Sequence, residues 1–185
     1  HDLKTPLTRI NLMIEEINNE TLKYSISQNI SEMNIMLNHY LDFIKNEKNE
    51  NLDEISTSNF ISNIAKNYLK LQILSNQANQ IFIRKNQITR AIMNILDNAD
   101  KFAEKIFISS TFLNNQWKID IEDNGPGTTL SQDQLIRPFV KGSDQLNQGT
   151  GLGLSIVDKI INDHNGSIKF LNTNNGARVQ IIIPK

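Results

Sequence analysis

His1 heads the string His1-Asp2-Leu3-Lys4-Thr5-Pro6-Leu7. Imidazole titrates near neutrality, so a solvent-facing histidine keeps an unprotonated nitrogen available as a nucleophile. Asp2 can hydrogen-bond that ring, fixing its tautomer and taking its proton. At about 100° per residue, Leu3, Leu7 and Ile10 fall about 180° to 240° around a helix from His1, which turns the imidazole away from the apolar seam. Thr5, one turn on, shares its face. Pro6 cannot donate to the carbonyl of Asp2, so the helix should bend beside His1. His39 and His164 lack such surroundings and are expected to be exposed and inert.

A second group lies in the helical stretch 86 to 102. Arg90, Asn94, Asn98 and Lys101 form a polar stripe about 110° from the apolar stripe Ile88, Ile92, Ile95, Ala99 and Phe102. Amide oxygens at i and i+4 can hold a hard cation that already carries phosphates and waters, with a lysine one turn on to neutralise the phosphates. The same spacing also suits a plain solvated helix face. Farther on, strand alternation puts Asp123 on the face of Trp117, Ile119 and Ile121, where a carboxylate needs a donor. An adenine amino group is a donor of the right shape, although an ordinary turn aspartate also fits. Gly125 and Gly127 in Asp123-Asn124-Gly125-Pro126-Gly127 let backbone approach a flat ligand closely. The run Gly149-Thr150-Gly151-Leu152-Gly153-Leu154 leads into a helix and offers successive backbone N–H groups to an anion. It lacks the Gly-Lys-Ser/Thr ending of a Walker loop and has no strand feeding it.

The elements that must position these groups follow from periodicity. Leu3, Leu7, Ile10, Ile14 and Ile17, then Ile26, Ile30, Met33, Leu37, Tyr40 and Ile44, step as two heptad helices joined by the polar stretch Asn18 to Thr21. Such an antiparallel hairpin cannot bury its seam alone, so a dimeric four-helix bundle is expected over 1–48. Lys45 to Asn51 contains no apolar residue, and 49–56 reads as a linker. Residues 57–185 then mix helices and strands. The pattern predicts a helix through Phe60, Ile61, Ile64, Ala65, Tyr68 and Leu69, a strand at 81 to 83, the helix 86 to 102, and strands at 106 to 112 and 117 to 123 joined by an Asn114-Asn115 turn. A polar loop from Thr128, a helix from Leu152 to about Asp163, and strands near 167 to 171 and 178 to 183 complete an α/β sandwich with its strands largely in hairpins.

Composition narrows the partners. Nineteen Lys and Arg against 20 Asp and Glu leave no basic footprint for nucleic acid, and the absence of cysteine excludes disulfides and thiolate chemistry. No apolar run approaches the roughly 18 residues of a membrane span, so the chain reads as soluble. It starts at His1 without an initiator Met, as a piece of a longer polypeptide would. Any membrane attachment is expected in segments absent from this chain.

In order and spacing, the stripe at 94 to 102, the Asp123 turn and the run at 149 to 154 resemble the N, G1 and G2 boxes of the Bergerat ATP-binding fold of histidine kinases, gyrase B, Hsp90 and MutL. The opening string resembles the H box of histidine phosphotransfer domains, of an EnvZ-like branch. The resemblance implies a sensor histidine kinase that binds ATP with Mg2+, phosphorylates His1 and passes the phosphoryl group to an aspartate of a response regulator. It implies Asn98 and Asn94 at the metal, Lys101 at the phosphates, Asp123 at the adenine amino group, and Phe102, Gly125, Gly127 and 149 to 154 around the nucleotide. Phe139, in Arg137-Pro138-Phe139-Val140-Lys141-Gly142, matches an F box, with Lys141 and Gly142 in a nucleotide-contacting lid over 128 to 150. Thr5 would support phosphatase activity toward the regulator. Hydrolytic members place a water-activating glutamate four residues before the metal asparagine. Asn94 stands there instead, which favours transfer to a protein acceptor. The resemblance further implies a homodimer forming the cytoplasmic part of a bacterial inner-membrane sensor. The alternative is a pseudokinase, a nucleotide-gated module that binds the regulator without catalysis.

Overall fold

The computed structural model describes residues 9–10, 13–14, 19–47, 50–140, 151–173 and 176–185, and the chain divides into two compact units, His1–Asn49 and Glu50–Lys185. In the first unit, helix α1 spans Glu20–Glu47. Asn19, expected within the polar connection, caps this helix: its side-chain oxygen accepts from the Leu22 N–H at 3.1 Å, satisfying a donor that a helix start leaves open. Ile30 is buried together with Ile14, and Ile26 and Leu37 pack beside them, while Met33 is 52% exposed. A four-helix bundle is not present in this single chain, because a hairpin seam closes into one only against a second copy. His1, Asp2 and Thr5 lie outside the described residues, as does the side chain of His39.

The second unit runs β1 (Asp53–Ser56), α2 (Thr57–Ala65), β2 (Leu71–Asn76), β3 (Gln80–Ile83), α3 (Lys85–Phe102), β4 (Ile106–Leu113) and β5 (Gln116–Asp123), then α4 (Gln132–Leu135), α5 (Gly153–Asp163), β6 (Ser167–Thr173) and β7 (Gly176–Pro184). Five strands form one sheet in the order β2-β4-β5-β7-β6, and β1 with β3 makes a separate ribbon. The β4–β5 hairpin turns through Asn114 and Asn115 at φ 50° and 61°, the left-handed pair that matches strand twist in a two-residue turn. One face of the sheet carries Ile106, Ile108, Trp117, Ile119, Ile121, Ile181 and Ile183, buried with Ile61 of α2, Ile88, Ile92 and Leu96 of α3 and Val157 and Ile161 of α5. The Trp117 ring meets Phe60 edge-on at 5.8 Å and its N–H donates to Ser110 Oγ at 2.9 Å, so the one buried polar edge is satisfied.

Four points of the sequence reading are corrected. Asp53–Ser56, read as linker, is a strand, because Ile55 is buried opposite Ile81 on β3. The helix expected to reach Leu69 ends at Ala65: Tyr68 donates its N–H to the Ala65 carbonyl in a turn, and Leu69 is fully exposed. The strand β2 went unread and pairs parallel to β4, so the sheet is not made of hairpins alone; a register shift between Ile73 and Ser75 breaks the alternation that would announce it. His164, expected to be exposed, is buried. Its Nδ1 lies 2.7 Å from the Ile160 carbonyl, and its Nε2 accepts from the Arg84 N–H at 3.2 Å, which ties the end of α5 to the start of α3.

Candidate functional site

Helix α3 is the platform of the site. Its start has no cap from its own N-cap Arg84; Glu50 supplies one, accepting from Asn86 N–H at 2.6 Å and Gln87 N–H at 3.2 Å. Its last carbonyls, those of Asp100 and Ala103, receive Lys70 Nζ at 2.6 and 3.0 Å. Both ends thus hold partners that an isolated helix lacks, and the helix presents Asn94 and Asn98 from a fixed register.

The cleft beside α3 encloses about 180 Å3 and is lined by Asn98 and Phe102 of α3, Asp123 at the end of β5, Gly127 and Leu154, among others. Residues expected from separate stretches of sequence therefore meet. Asp123 is half-buried on the Trp117-Ile119-Ile121 face. Its Oδ1 accepts from Gly125 N–H at 2.8 Å and Ala177 N–H at 3.4 Å. Its Oδ2 has no hydrogen-bond partner among the described residues, so one carboxylate oxygen is held and the other is left for a donor in the cleft. The backbone fits closely here: a Cβ at Gly125 would come to 3.0 Å from Asp123 Oδ1, and one at Gly176 would overlap the Asp123 carbonyl. Asn124 accepts from Glu104 and Lys105 N–H at 3.0 and 2.9 Å, locking the turn to the segment after α3.

The first residue of α5, Gly153, places its backbone beside the two asparagines. A Cβ there would stand 3.5 Å from Asn94 Oδ1 and 3.8 Å from Asn98 Nδ2. Asn94 Nδ2 is buried with no hydrogen-bond partner among the described residues. No side chain caps α5, so the N–H groups of Gly153 and Leu154 in its first turn can face an anion. An orphaned amide, a second amide beside it and an uncapped helix start fit a phosphate chain carrying Mg2+, with the oxygen ligands such a cation prefers.

The remaining expected residues are distributed as follows. Lys101 is exposed in the last turn of α3. Leu152 is buried in the core, whereas Leu154 faces the cleft. Phe139, at φ 66° and 60% exposed, donates its N–H to the Gly151 carbonyl at 2.9 Å. Gly151 has φ 68°, and a Cβ there would come to 2.8 Å from the Phe139 carbonyl carbon, so Phe139 and Gly151, which flank residues 141–150, are packed backbone to backbone. Lys141, Gly142, Gly149 and Thr150 lie within that stretch, outside the described residues. The sequence reading missed the opposite wall, where Leu130, Gln132, Phe170 and Asn172 also line the cleft. Those residues come from a polar loop and an edge strand, and no local spacing marks them as a set.

Residues 83–185 match the family described as histidine kinase-, DNA gyrase B-, and HSP90-like ATPase. The sensor histidine kinase GtrS of Pseudomonas aeruginosa is 28% identical over 191 residues, covering 100% of this chain and 40% of GtrS; the chain thus spans less than half of that relative. Among solved structures, the histidine kinase AdeS of Acinetobacter baumannii superposes with a TM-score of 0.66 at 23% identity, covering 100% of this chain and 97% of AdeS. Full-length ShkA, solved in complex with AMPPNP, gives a TM-score of 0.67 at 17% identity over 100% of this chain and 44% of ShkA.

Proposed function

The chain belongs to the histidine kinase-, DNA gyrase B-, and HSP90-like ATPase family, and from that premise we propose that it is the kinase core of a two-component sensor, which binds Mg-ATP in the cleft and phosphorylates His1. The observation that carries this reading is the half-satisfied Asp123 carboxylate sharing one cleft with Asn98, with Gly153 against Asn94 and Asn98. In this assignment Asp123 Oδ2 accepts from the adenine amino group, and Gly125 and Gly127 allow the ring close to the backbone. Asn98 and Asn94 hold Mg2+, Lys101 reaches the phosphates, and the N–H groups at the start of α5 receive them. A metal held by Asn98 and Asn94 would supply positive charge against the phosphate chain. Catalysis is then positioning and charge neutralisation, with His1 as nucleophile and Asp2 taking its proton. An amide at position 94, where a hydrolytic site needs a base, favours transfer to a side chain over attack by water.

The wider reading follows from the sensor histidine kinases it resembles. Residues 1–48 form the dimerising phosphotransfer hairpin, and 57–185 the ATP-binding domain. A response regulator receives the phosphoryl group, and Thr5 assists its later removal. The kinase core lies on the cytoplasmic side of a membrane-bound sensor; among the described residues no helix is long and apolar enough to cross a membrane. The test is labelling with Mg-ATP. The chain should acquire an acid-labile, base-stable phosphate that His1→Gln abolishes while nucleotide binding persists. Full labelling of His1→Gln would overturn the acceptor assignment, and binding without any labelling would favour the pseudokinase.

A further inference from the structure

The wall of the cleft facing α3 is built from the segment 126 to 135, whose one regular element is the four-residue α4. Two side-chain amides fasten it to β6, and each does so with a donor and an acceptor at once. Asn172 Nδ2 donates to the Thr128 carbonyl at 2.7 Å, and its Oδ1 accepts from the Thr128 N–H at 3.1 Å. Gln132 Nε2 donates to the Ile168 carbonyl at 3.3 Å, and its Oε1 accepts from the Phe170 N–H at 3.4 Å. β6 pairs with β7 along one side only, so the Gln132 amide takes the place of a neighbouring strand on the other. Between the two fastenings, Thr128 Oγ1 accepts from Leu130 N–H at 3.1 Å, and Ser131 with Gln134 completes a capping box on α4. Gly127 fits this clamp: its φ is 70°, and a Cβ would lie 3.1 Å from Asn172 Oδ1. Leu130, Gln132, Leu135, Phe170, Leu171 and Asn172 all line the cleft.

We propose that Asn172 and Gln132 are positioning residues that set nucleotide affinity by holding this wall in place before the nucleotide arrives. The inference rests on the nucleotide reading of the cleft. A segment with little regular structure would otherwise be ordered at the moment of binding, and that cost subtracts from affinity. Neither amide is placed at the phosphates or the acceptor, so the expected signature is a change in KM with kcat retained.

The experiment compares the full chain with Asn172→Ala and, independently, Gln132→Met, which keeps the apolar stem and deletes the amide. Mg-ATP affinity is measured by displacement of a fluorescent ATP analogue, autophosphorylation at saturating Mg-ATP, and thermal melting without nucleotide. Each variant should bind Mg-ATP about tenfold more weakly, as expected for losing two hydrogen bonds, with the saturating rate within about twofold and the melting temperature within about 2 °C. Faster hydrogen exchange at the Thr128 N–H in Asn172→Ala, with core amides unchanged, should accompany this. Unchanged affinity in Gln132→Met, or weaker binding matched by loss of the folded fraction, overturns the proposal. If the unsubstituted chain fails to bind Mg-ATP the nucleotide reading itself falls, whereas binding that neither variant alters removes this inference alone.

Discussion

At the scale of single residues, Asp123 shows how a carboxylate can be both fixed and available. Gly125 and Ala177 N–H groups hold Oδ1, and these bonds survive replacement of Oδ2 by an amide nitrogen. Asp123→Asn therefore keeps the local turn and sets a donor against the adenine amino donor. ATP affinity should fall by about tenfold to a hundredfold, the scale of a charge-assisted hydrogen bond, while GTP, with an acceptor at that position, should lose much less. Competition binding of the two nucleotides checks this, and equal losses would remove the adenine role. The alternation Trp117-Ile119-Ile121-Asp123 made this residue legible in sequence. Its two backbone donors were not legible together, because Ala177 arrives from β7, more than fifty residues on.

Elements show a different balance. The long helix α3, both hairpins and α5 follow from apolar period and turn residues. What holds α3 came from places that read as featureless. Glu50, in the apparent linker, caps Asn86 and Gln87, and Lys70, in an unread segment, closes the other end. A carboxylate on the open N–H groups of a helix start gains from both hydrogen bonding and the helix dipole. Glu50→Ala should lower the stability of the second unit by about 1 kcal/mol, and Glu50→Gln, which keeps an acceptor without the charge, by less. Urea unfolding followed by helix signal measures both, and an unchanged midpoint in Glu50→Ala would rule the cap out as a stabilising contact. Sequence spacing cannot reveal such a cap, since it joins residues 36 apart.

For the whole molecule, pH exposes what the tertiary structure adds. His164 has its pKa lowered from 6.5, chiefly because burial disfavours the imidazolium; Arg84 acts in the same direction, while the Ile160 carbonyl, Asp163 and Glu50 act against it. The unfolded chain then binds the extra proton more readily, so this histidine's contribution is fully present above about pH 6.5 and is lost as pH falls below it. Asp120 is different. Burial raises its pKa, but Gln180, Arg178 and Lys118 outweigh that and leave it lowered from 3.8, so its contribution fades only in stronger acid. Urea midpoints should fall between about pH 7 and pH 5 in the parent chain and more shallowly in His164→Leu; parallel slopes would exclude His164 as the source. The sequence by itself determined the helix Glu20–Glu47, the sandwich class and three of the clusters that meet at the cleft, because apolar period and glycine placement are local properties of the chain. Only the tertiary structure decided that β1 is a strand, that His164 is buried, and that Asn172 and Gln132 brace the cleft. Each of these depends on hydrogen bonds or burial between segments far apart in the chain, which no local spacing encodes.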